Sequence, residues 1–416
     1  MGSKRLNIGF FSCMYHQING LSHALRSISN AMAERGHKVH IFCPGLHEYE
    51  STPHKNIYFH SLPGLKLKNG TGFQLSVPIH RYFNNNYDFL DICHNHTHYT
   101  VGAIGIITAK KFGIPIIGTH SSPFHYYSAQ YIPIIGSVLV HSKFLWQFER
   151  WILDIYDFVH VPTRSKKNLL LSYKFREPII YMSNGIPDFY YREIKENGIK
   201  EKYSLENKRI LLYVSRLSPE KHTIKVIKCF KNINKRIPDA QLVIVGSDGP
   251  LTSHVKNIVK KEKYKDKVSY LGTVPYEDIL KLYHAADLSC LWSWVEAEGL
   301  VLLEAMAQGT PNVGANACGI EDVILHGKTG YLANNLKQFE KYVIELLQNE
   351  DLRLRFGKNA KDRALSYRIS EIAKTWESLY RFTIEDFHKY KSNSIPRMKR
   401  VELLKQFVKK IPNCNF

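Results

Sequence analysis

The chain has little that would tie it to the outside of a cell or to a membrane interior. Its seven cysteines are odd in number, scattered, and include no C-x-x-C pair. That spacing argues against a disulfide framework and a paired-cysteine zinc site, and for reduced thiols in a cytoplasmic compartment. No apolar run reaches the roughly 18 residues that a transmembrane helix needs. The opening Met1-Gly-Ser-Lys-Arg-Leu6 lacks a signal peptide's apolar core, and Leu6 breaks the myristoylation pattern. There is no low-complexity segment and no short-period repeat. No D-x-D sits near a strand end, and no zinc-finger, RNP or basic-region motif supports nucleic-acid binding. Acids are scarce as well: 37 Asp and Glu face 57 Lys and Arg, a net charge of +20 over 416 residues. The excess is uneven. Residues 1–176 hold 18 cations against 8 acids, and residues 391–416 hold 7 against 1. Such a balance favours an anionic membrane surface, acidic substrates or nucleic acid.

What is present reads as globular, with 44% hydrophobic and 23% charged residues, and as long enough for two domains. Leu6–Phe11 reads as a buried strand. Leu21, Leu25, Ile28 and Met32 share one face of a following helix that Gly36 ends. Val39–Phe42 is the next strand, which completes a βαβ unit. The alternation continues at Leu90–His94, Ile114–Thr119, Phe158–Val161 and Ile179–Met182. A second unit opens at Arg209–Val214 and continues through Gln241–Val245, Val268–Leu271 and Leu288–Leu291, with Asn312–Ala315 as its last strand. The expected division is an N-terminal Rossmann-like domain over 1–187, a polar linker over 188–207 and a second Rossmann-like domain over 208–370. A helix over 371–390 and a basic tail over 391–416 follow.

The most specific string is Trp294-Val-Glu-Ala-Glu-Gly-Leu-Val-Leu-Leu-Glu-Ala-Met-Ala-Gln-Gly-Thr-Pro311. Glu296 closes a strand-to-helix loop. Glu304 lies about 1.5 turns into the helix that follows Gly299. Both acids can face whatever sits over that helix's N-terminus, where free N–H groups and the helix dipole favour a diphosphate. Carboxylates there suit hydroxyls of a ribose and of a sugar. Arg216 and Lys221 follow the first strand of the second domain, and two cations suit a diphosphate leaving group whose charge grows as a bond breaks.

This string resembles the E-x7-E motif of the retaining glycosyltransferases of family 4, which have the GT-B fold. The resemblance continues in Val214-Ser-Arg-Leu-Ser-Pro-Glu-Lys221, in Val245-Gly-Ser-Asp-Gly-Pro250 and in Gly319-Ile-Glu-Asp-Val-Ile-Leu-His-Gly-Lys-Thr-Gly-Tyr-Leu332. It implies an α/β GT-B protein whose two Rossmann-like doubly wound domains face a central cleft, with the helix over 371–390 crossing back to the first. It implies a nucleotide-sugar donor, held as UDP or GDP by Arg216, Lys221, Gly246, Asp248, Val274, Gly299, Leu300, Val301 and Glu304. Glu296 would hold the donor sugar and Glu304 the ribose. No cofactor is required, with Mg2+ at most a stimulant. A glycine loop is expected at Asn19, Gly20 and Leu21, where Asn19 stands in for a usual glycine and can still take φ > 0.

His120, in Gly118-Thr-His-Ser-Ser122, matches a T-x-H whose histidine contacts the donor sugar, so His120 and Glu296 are the candidate catalytic residues. His94, His96 and His98 alternate at strand spacing. They invite a metal reading, but no cysteine or carboxylate completes a site, and none is assigned.

Two segments suggest a membrane. Tyr126–Trp151 is aromatic and apolar, and reads equally as core. In the tail, Met398, Val401, Leu404, Val408 and Ile411 form one helical face, with Arg397, Lys399, Arg400, Lys405, Lys409 and Lys410 around it. That is an interfacial-helix pattern drawn to anionic lipid, with docking on the body as the alternative. The Glu-Ala-Glu-Gly-Leu form of the motif and the Tyr126-Tyr127 and Tyr131-Ile-Pro133 stretch resemble the diacylglycerol glucosyltransferases. The implied reaction moves glucose or galactose to a lipid acceptor such as 1,2-diacylglycerol on the cytoplasmic face of the membrane. A polysaccharide, polyprenyl-linked or soluble acceptor is the nearest alternative. A nucleic-acid-binding protein and a catalytically silent GT-B module are alternatives of another class.

Overall fold

The structure, a computed structural model, describes residues 4–17, 19–45, 54–66, 74–76, 86–121, 143–176, 178–195, 198–391 and 397–415. The expected Tyr126, Tyr127 and Tyr131-Ile-Pro133 features lie outside them. The chain divides into two compact units, Met1–Gly185 with Ile369–Phe416, and Ile186–Arg368.

Unit 1 runs β1 Asn7–Phe11, α1 Gly20–Glu34, β2 Lys38–Pro44, β3 Ile57–Leu62, β4 Gly64–Lys66, β5 Gln74–Ser76 and β6 Ile92–Asn95. It continues as α2 Thr100–Phe112, β7 Ile116–Thr119, α3 Lys143–Leu153, β8 Val159–Val161, α4 Arg164–Ser172 and β9 Ile179–Tyr181. Seven strands form one parallel sheet in the order β3-β2-β1-β6-β7-β8-β9, and β4 pairs with β5 apart from it. The strands are apolar on both faces because helices cover both. Phe10, Ile41, Ile92 and Ile117 enter one core, while their neighbours Phe11, Phe42, Cys93 and Ile116 enter the other. β3 was not foreseen. It is an edge strand buried only at its ends, Ile57 and Leu62, so its sequence carries half the apolar signal of its neighbours.

Unit 2 contains α5 Ile199–Lys202, β10 Arg209–Val214, α6 Thr223–Arg236, β11 Ala240–Val245, α7 Thr252–Val259, β12 Val268–Gly272 and α8 Tyr276–Ala285. After these come β13 Leu288–Leu291, α9 Leu300–Ala307, β14 Asn312–Ala315, α10 Ile320–Val323, β15 Gly330–Ala333, α11 Leu336–Gln348 and α12 Glu350–Ala364. Its parallel sheet has the order β12-β11-β10-β13-β14-β15. Asn312–Ala315 is therefore not the last strand: β15 pairs beside it from Asn312↔Gly330 to Ala315↔Ala333. The expected linker over 188–207 is also corrected. Tyr190, Ile199 and Leu205 are buried in the unit 2 core, and these three anchors hold an otherwise polar stretch against it.

Two helices return to unit 1, α13 Ile369–Lys391 and α14 Arg397–Val408. The tail does not present its apolar stripe outward. Leu404 and Val408 are 5% and 1% exposed in the unit 1 core, and Phe407 stacks on Phe382 at 4.3 Å. Arg400 bridges Asp386 at 2.7 Å and Asp157 at 3.0 Å. Beyond the helix, Asn415 and Tyr181 exchange backbone hydrogen bonds of 3.0 and 2.9 Å, which covers the edge of β9. Leu404, Val408 and Arg400 are thus docking residues, because burying that stripe against protein satisfies it. Lys409 and Lys410 stay exposed.

Candidate functional site

In each unit the strands of the main sheet all run one way, so the loops after them gather at one sheet edge. Ligands of such sheets bind there, beside the point where strand order reverses. In unit 2 that point lies between β10 and β13.

The loops on either side of it carry the sequence-predicted residues and join them. The Lys221 ammonium, after β10, pairs with the Glu296 carboxylate, after β13. Arg216 reaches Glu220 at 3.4 Å. The Ser218 hydroxyl donates to the Glu220 carboxylate as well, and Ser293 donates to the Glu220 backbone carbonyl at 3.1 Å. Burial pushes the Glu220 carboxyl up. The Ser218 hydrogen bond and the charges of Lys221 and Arg216 outweigh that and hold it below its ordinary value. Glu220 therefore serves as a buried anion that aims Arg216, a role the sequence reading did not assign.

Gly299 sits at φ 84° immediately before α9, and no side chain caps the helix. The first amides of α9, at Leu300 and Val301, lie at its positive end. Gly319 fixes the acid loop: a Cβ there would meet the Glu296 carbonyl oxygen at 2.6 Å. Glu304, one turn further along α9, is 6% exposed and accepts from the Tyr283 hydroxyl at 2.7 Å. Burial raises its pKa to about 7 against the hydrogen bonds from Tyr283 and Tyr190. Both tyrosines are further members of the site that the sequence reading missed. Tyr190 fell in the expected linker, and Tyr283 looks like one more core residue of α8.

Three of the expected donor residues have contacts of their own. Gly246 is required by packing, since a Cβ there would meet the Ser215 carbonyl oxygen at 1.9 Å. The Asp248 side chain is 71% exposed and accepts from Tyr270 at 2.9 Å, away from the Arg216–Glu296 cluster's contacts. Val274 packs on the unit 2 core.

In unit 1 the strand order reverses between β1 and β6. Asn19 does not take φ > 0. It is extended at φ −154° and caps α1, accepting from the Ser22 amide at 2.9 Å. Gly20 opens α1 with open space where a Cβ would stand, and Leu21 is half-buried.

The three histidines do not share a face, because β6 ends at Asn95. His94 lies in a directed relay. Tyr380 donates to His94 Nδ1 at 2.8 Å, and His94 Nε2 donates to Thr119 at 2.7 Å. Thr119 then donates to His160 Nδ1 at 3.0 Å, and His160 Nε2 to the Met182 carbonyl at 2.7 Å. Every proton in this chain is used once with both imidazoles neutral, and that fixes their tautomers. His96 packs on His94, whereas His98 turns away to stack on His120 at 5.7 Å. Among the described residues no group of three side chains could hold a metal. His120 follows β7, is buried, and its Nε2 lies 2.7 Å from the Glu149 carboxylate on α3.

Two Rossmann-like units, one with a cation–acid cluster at its switch point, define an enzyme of the GT-B fold. Two family models match: the Glycosyltransferase Family 4 model over residues 18–188 and the Glycosyl transferases group 1 model over residues 195–363. The chain belongs to the family 4 glycosyltransferases. The N-acetyl-α-D-glucosaminyl L-malate synthase of Bacillus anthracis is 28% identical over 92% of this chain and 98% of its own. The α-monoglucosyldiacylglycerol synthase of Streptococcus pneumoniae is 28% identical over 79% of this chain and 73% of its own. Among solved structures, Anabaena HepE in complex with UDP-glucose superimposes with a TM-score of 0.71 at 17% identity, covering 89% of this chain and 98% of that one. Sucrose-phosphate synthase from Thermosynechococcus elongatus gives 0.74 at 19% identity, over 91% and 98%.

Proposed function

We propose that the chain is a retaining hexosyltransferase that moves glucose or galactose from a UDP-linked donor to a lipid acceptor such as 1,2-diacylglycerol at a membrane surface. The observation that carries the donor half is the Lys221–Glu296 pair bridging the β10/β13 switch point beside the N-terminus of α9. An ammonium has three donors, so Lys221 can serve Glu296 and a phosphate oxygen together. Arg216 and the α9 amides add charge where the departing diphosphate gains it, so no metal is needed there. Glu304 accepts from ribose hydroxyls and Glu296 from the sugar. The acceptor attacks on the face the diphosphate leaves, and a phosphate oxygen takes its proton, so no second carboxylate nucleophile is required.

Support for a lipid acceptor comes from the diacylglycerol-acting relative and from α3. Its Phe148 and Trp151 are 38% and 64% exposed, stack at 6.1 Å, and flank Arg150. Among the described residues no helix is long and apolar enough to cross a membrane, so contact would be peripheral. A second reading follows from the relative that acts on L-malate and matches over 92% of the chain. In it, the basic N-terminal half receives a small hydroxy acid and the donor carries N-acetylglucosamine.

The test is a mass-spectrometric transfer screen of UDP-glucose, UDP-galactose, UDP-N-acetylglucosamine and GDP-mannose. Each donor is paired with diacylglycerol in anionic vesicles and with L-malate. Hexosyl-diacylglycerol of retained anomeric configuration is expected. Transfer to malate alone would replace the lipid reading, and no transfer from any donor would remove both.

A further inference from the structure

α3 buries one stripe, Leu145, Glu149, Ile152 and Leu153, at helical spacing. An acid at the second position of an apolar stripe is out of place unless it is paired. Glu149 is 2% exposed, lies 2.7 Å from His120 Nε2, and its charge helps burial to push the nearby Tyr99 phenol's pKa up. The ring it holds is stacked on His98, and its backbone amide donates to the His160 carbonyl at 2.8 Å. His120 Nδ1 is buried and has no hydrogen-bond partner among the described residues.

Burial lowers the His120 pKa. Glu149 opposes that with its charge and hydrogen bond, Lys166 adds to it, and the net direction is down. The imidazole is therefore neutral near pH 7 and carries one proton. An ionised carboxylate only accepts, so that proton sits on Nε2 and Nδ1 keeps a bare lone pair.

We propose that Glu149 is a positioning residue for sugar transfer, fixing His120 in the Nε2–H tautomer so that Nδ1 stands ready to accept a hydrogen bond from a substrate hydroxyl. The proposal rests on the glycosyl-transfer reading above. His120 follows β7 at the sheet edge where ligands of such sheets bind. A histidine left to choose would spend part of its time with Nδ1 protonated, where it can donate to a hydroxyl but cannot accept from one. Holding one tautomer removes that fraction before the substrate arrives. The same carboxylate also prevents the ring from turning about its χ angles.

Two measurements on the full chain test it. The first is long-range nitrogen–proton NMR of histidine-labelled protein, with His120→Ala identifying the signal. The wild type should show Nε2 protonated and Nδ1 bare, Glu149→Leu should lose that pattern, and Glu149→Gln, which keeps one acceptor oxygen, should partly restore it. The second is kinetics. Glu149→Leu should lower kcat by about a hundredfold with donor KM little changed, as expected for a misplaced contact. Glu149→Gln should recover part of the loss. In a His120→Ala background, Glu149→Leu should cost nothing more. A wild-type His120 protonated on Nδ1 or on both nitrogens overturns the proposal. So do multiplicative losses in the double variant. If Glu149→Leu fails to fold, the same cycle with Glu149→Gln decides. A wild type that holds the tautomer but transfers no sugar to any acceptor overturns the functional reading, and with it the hydroxyl as Nδ1's partner.

Discussion

Arg400→Met should destabilise unit 1 rather than loosen a membrane anchor. The substitution keeps the aliphatic stem that packs along α14 and removes the guanidinium. Two carboxylates then lose their shared cation: Asp157, 12% exposed and 3.0 Å away, and Asp386, 8% exposed and 2.7 Å away. Breaking a buried ion pair from one side costs about 3–5 kcal/mol. Arg400 is itself 28% exposed, so solvent already screens part of its charge, and about 3 kcal/mol is the better figure. In a unit of this size that lowers the midpoint by about 6–12 °C. The effect should depend on pH, with a definite sign. Burial already raises the Asp157 pKa, against the charge and hydrogen bond of Arg400; removing Arg400 raises it further. An acid whose folded pKa lies above its unfolded value contributes stability that is fully present below the unfolded pKa and is lost as pH rises to the folded one. The deficit of Arg400→Met relative to wild type should therefore be larger in mildly alkaline than in mildly acidic buffer. Differential scanning calorimetry of both proteins at the two pH values measures it. An unchanged midpoint, with vesicle binding lost instead, would refute the docked reading and return α14 to the lipid surface.

Glu304→Ala and Lys221→Ala should each cut transfer by at least about a hundredfold, since an unpaired ribose hydroxyl or diphosphate costs several kcal/mol; near-wild-type rates in both would remove the donor-site assignment. Unit 1 should be acid-labile. The folded pKa is about 3 for His96 and His98 and about 4 for His160, all lowered by burial, so below about pH 6.5 only the unfolded chain takes up these protons. Stability should fall by about 1 kcal/mol per histidine for each pH unit below that, and urea midpoints that stay flat from neutral pH into mild acid would contradict it. Binding to vesicles should rise with anionic lipid and fall with salt, and the double substitution of Phe148 and Trp151 by Ala should weaken what remains at high salt. Co-sedimentation unmoved by salt, lipid charge and that pair would favour a soluble acceptor.

The cation–acid cluster and the helix beside it were legible because their spacing is set by local geometry. Glu296, Gly299 and Glu304 span one loop and one helical turn, and Arg216 and Lys221 one loop after a strand. Each needs only the βα unit around it to be placed. Four strands were missed: β4 and β5 form a short ladder of their own, and β3 and β15 are sheet edges, where one side of the strand has no neighbour to demand apolar residues. Partners that come from far along the chain were not legible. Glu149 meets His120 across 29 residues, and Arg400 meets Asp157 across 243. The tail shows the limit most clearly. A stripe of Leu404 and Val408 ringed by cations satisfies equally well a lipid surface and a protein core with acids at its rim. Only the position of Asp157 and Asp386 separates the two, because a membrane supplies no buried carboxylate to meet Arg400. The sign of the charge opposite an amphipathic helix decides its partner, and that charge belongs to other segments of the chain. For α3 the same argument runs the other way. Its one inward acid is answered by His120, while Trp151 is exposed and Phe148 is covered only in part, by its stack on Tyr99 at 6.2 Å, which is why the membrane hypothesis now rests on that helix.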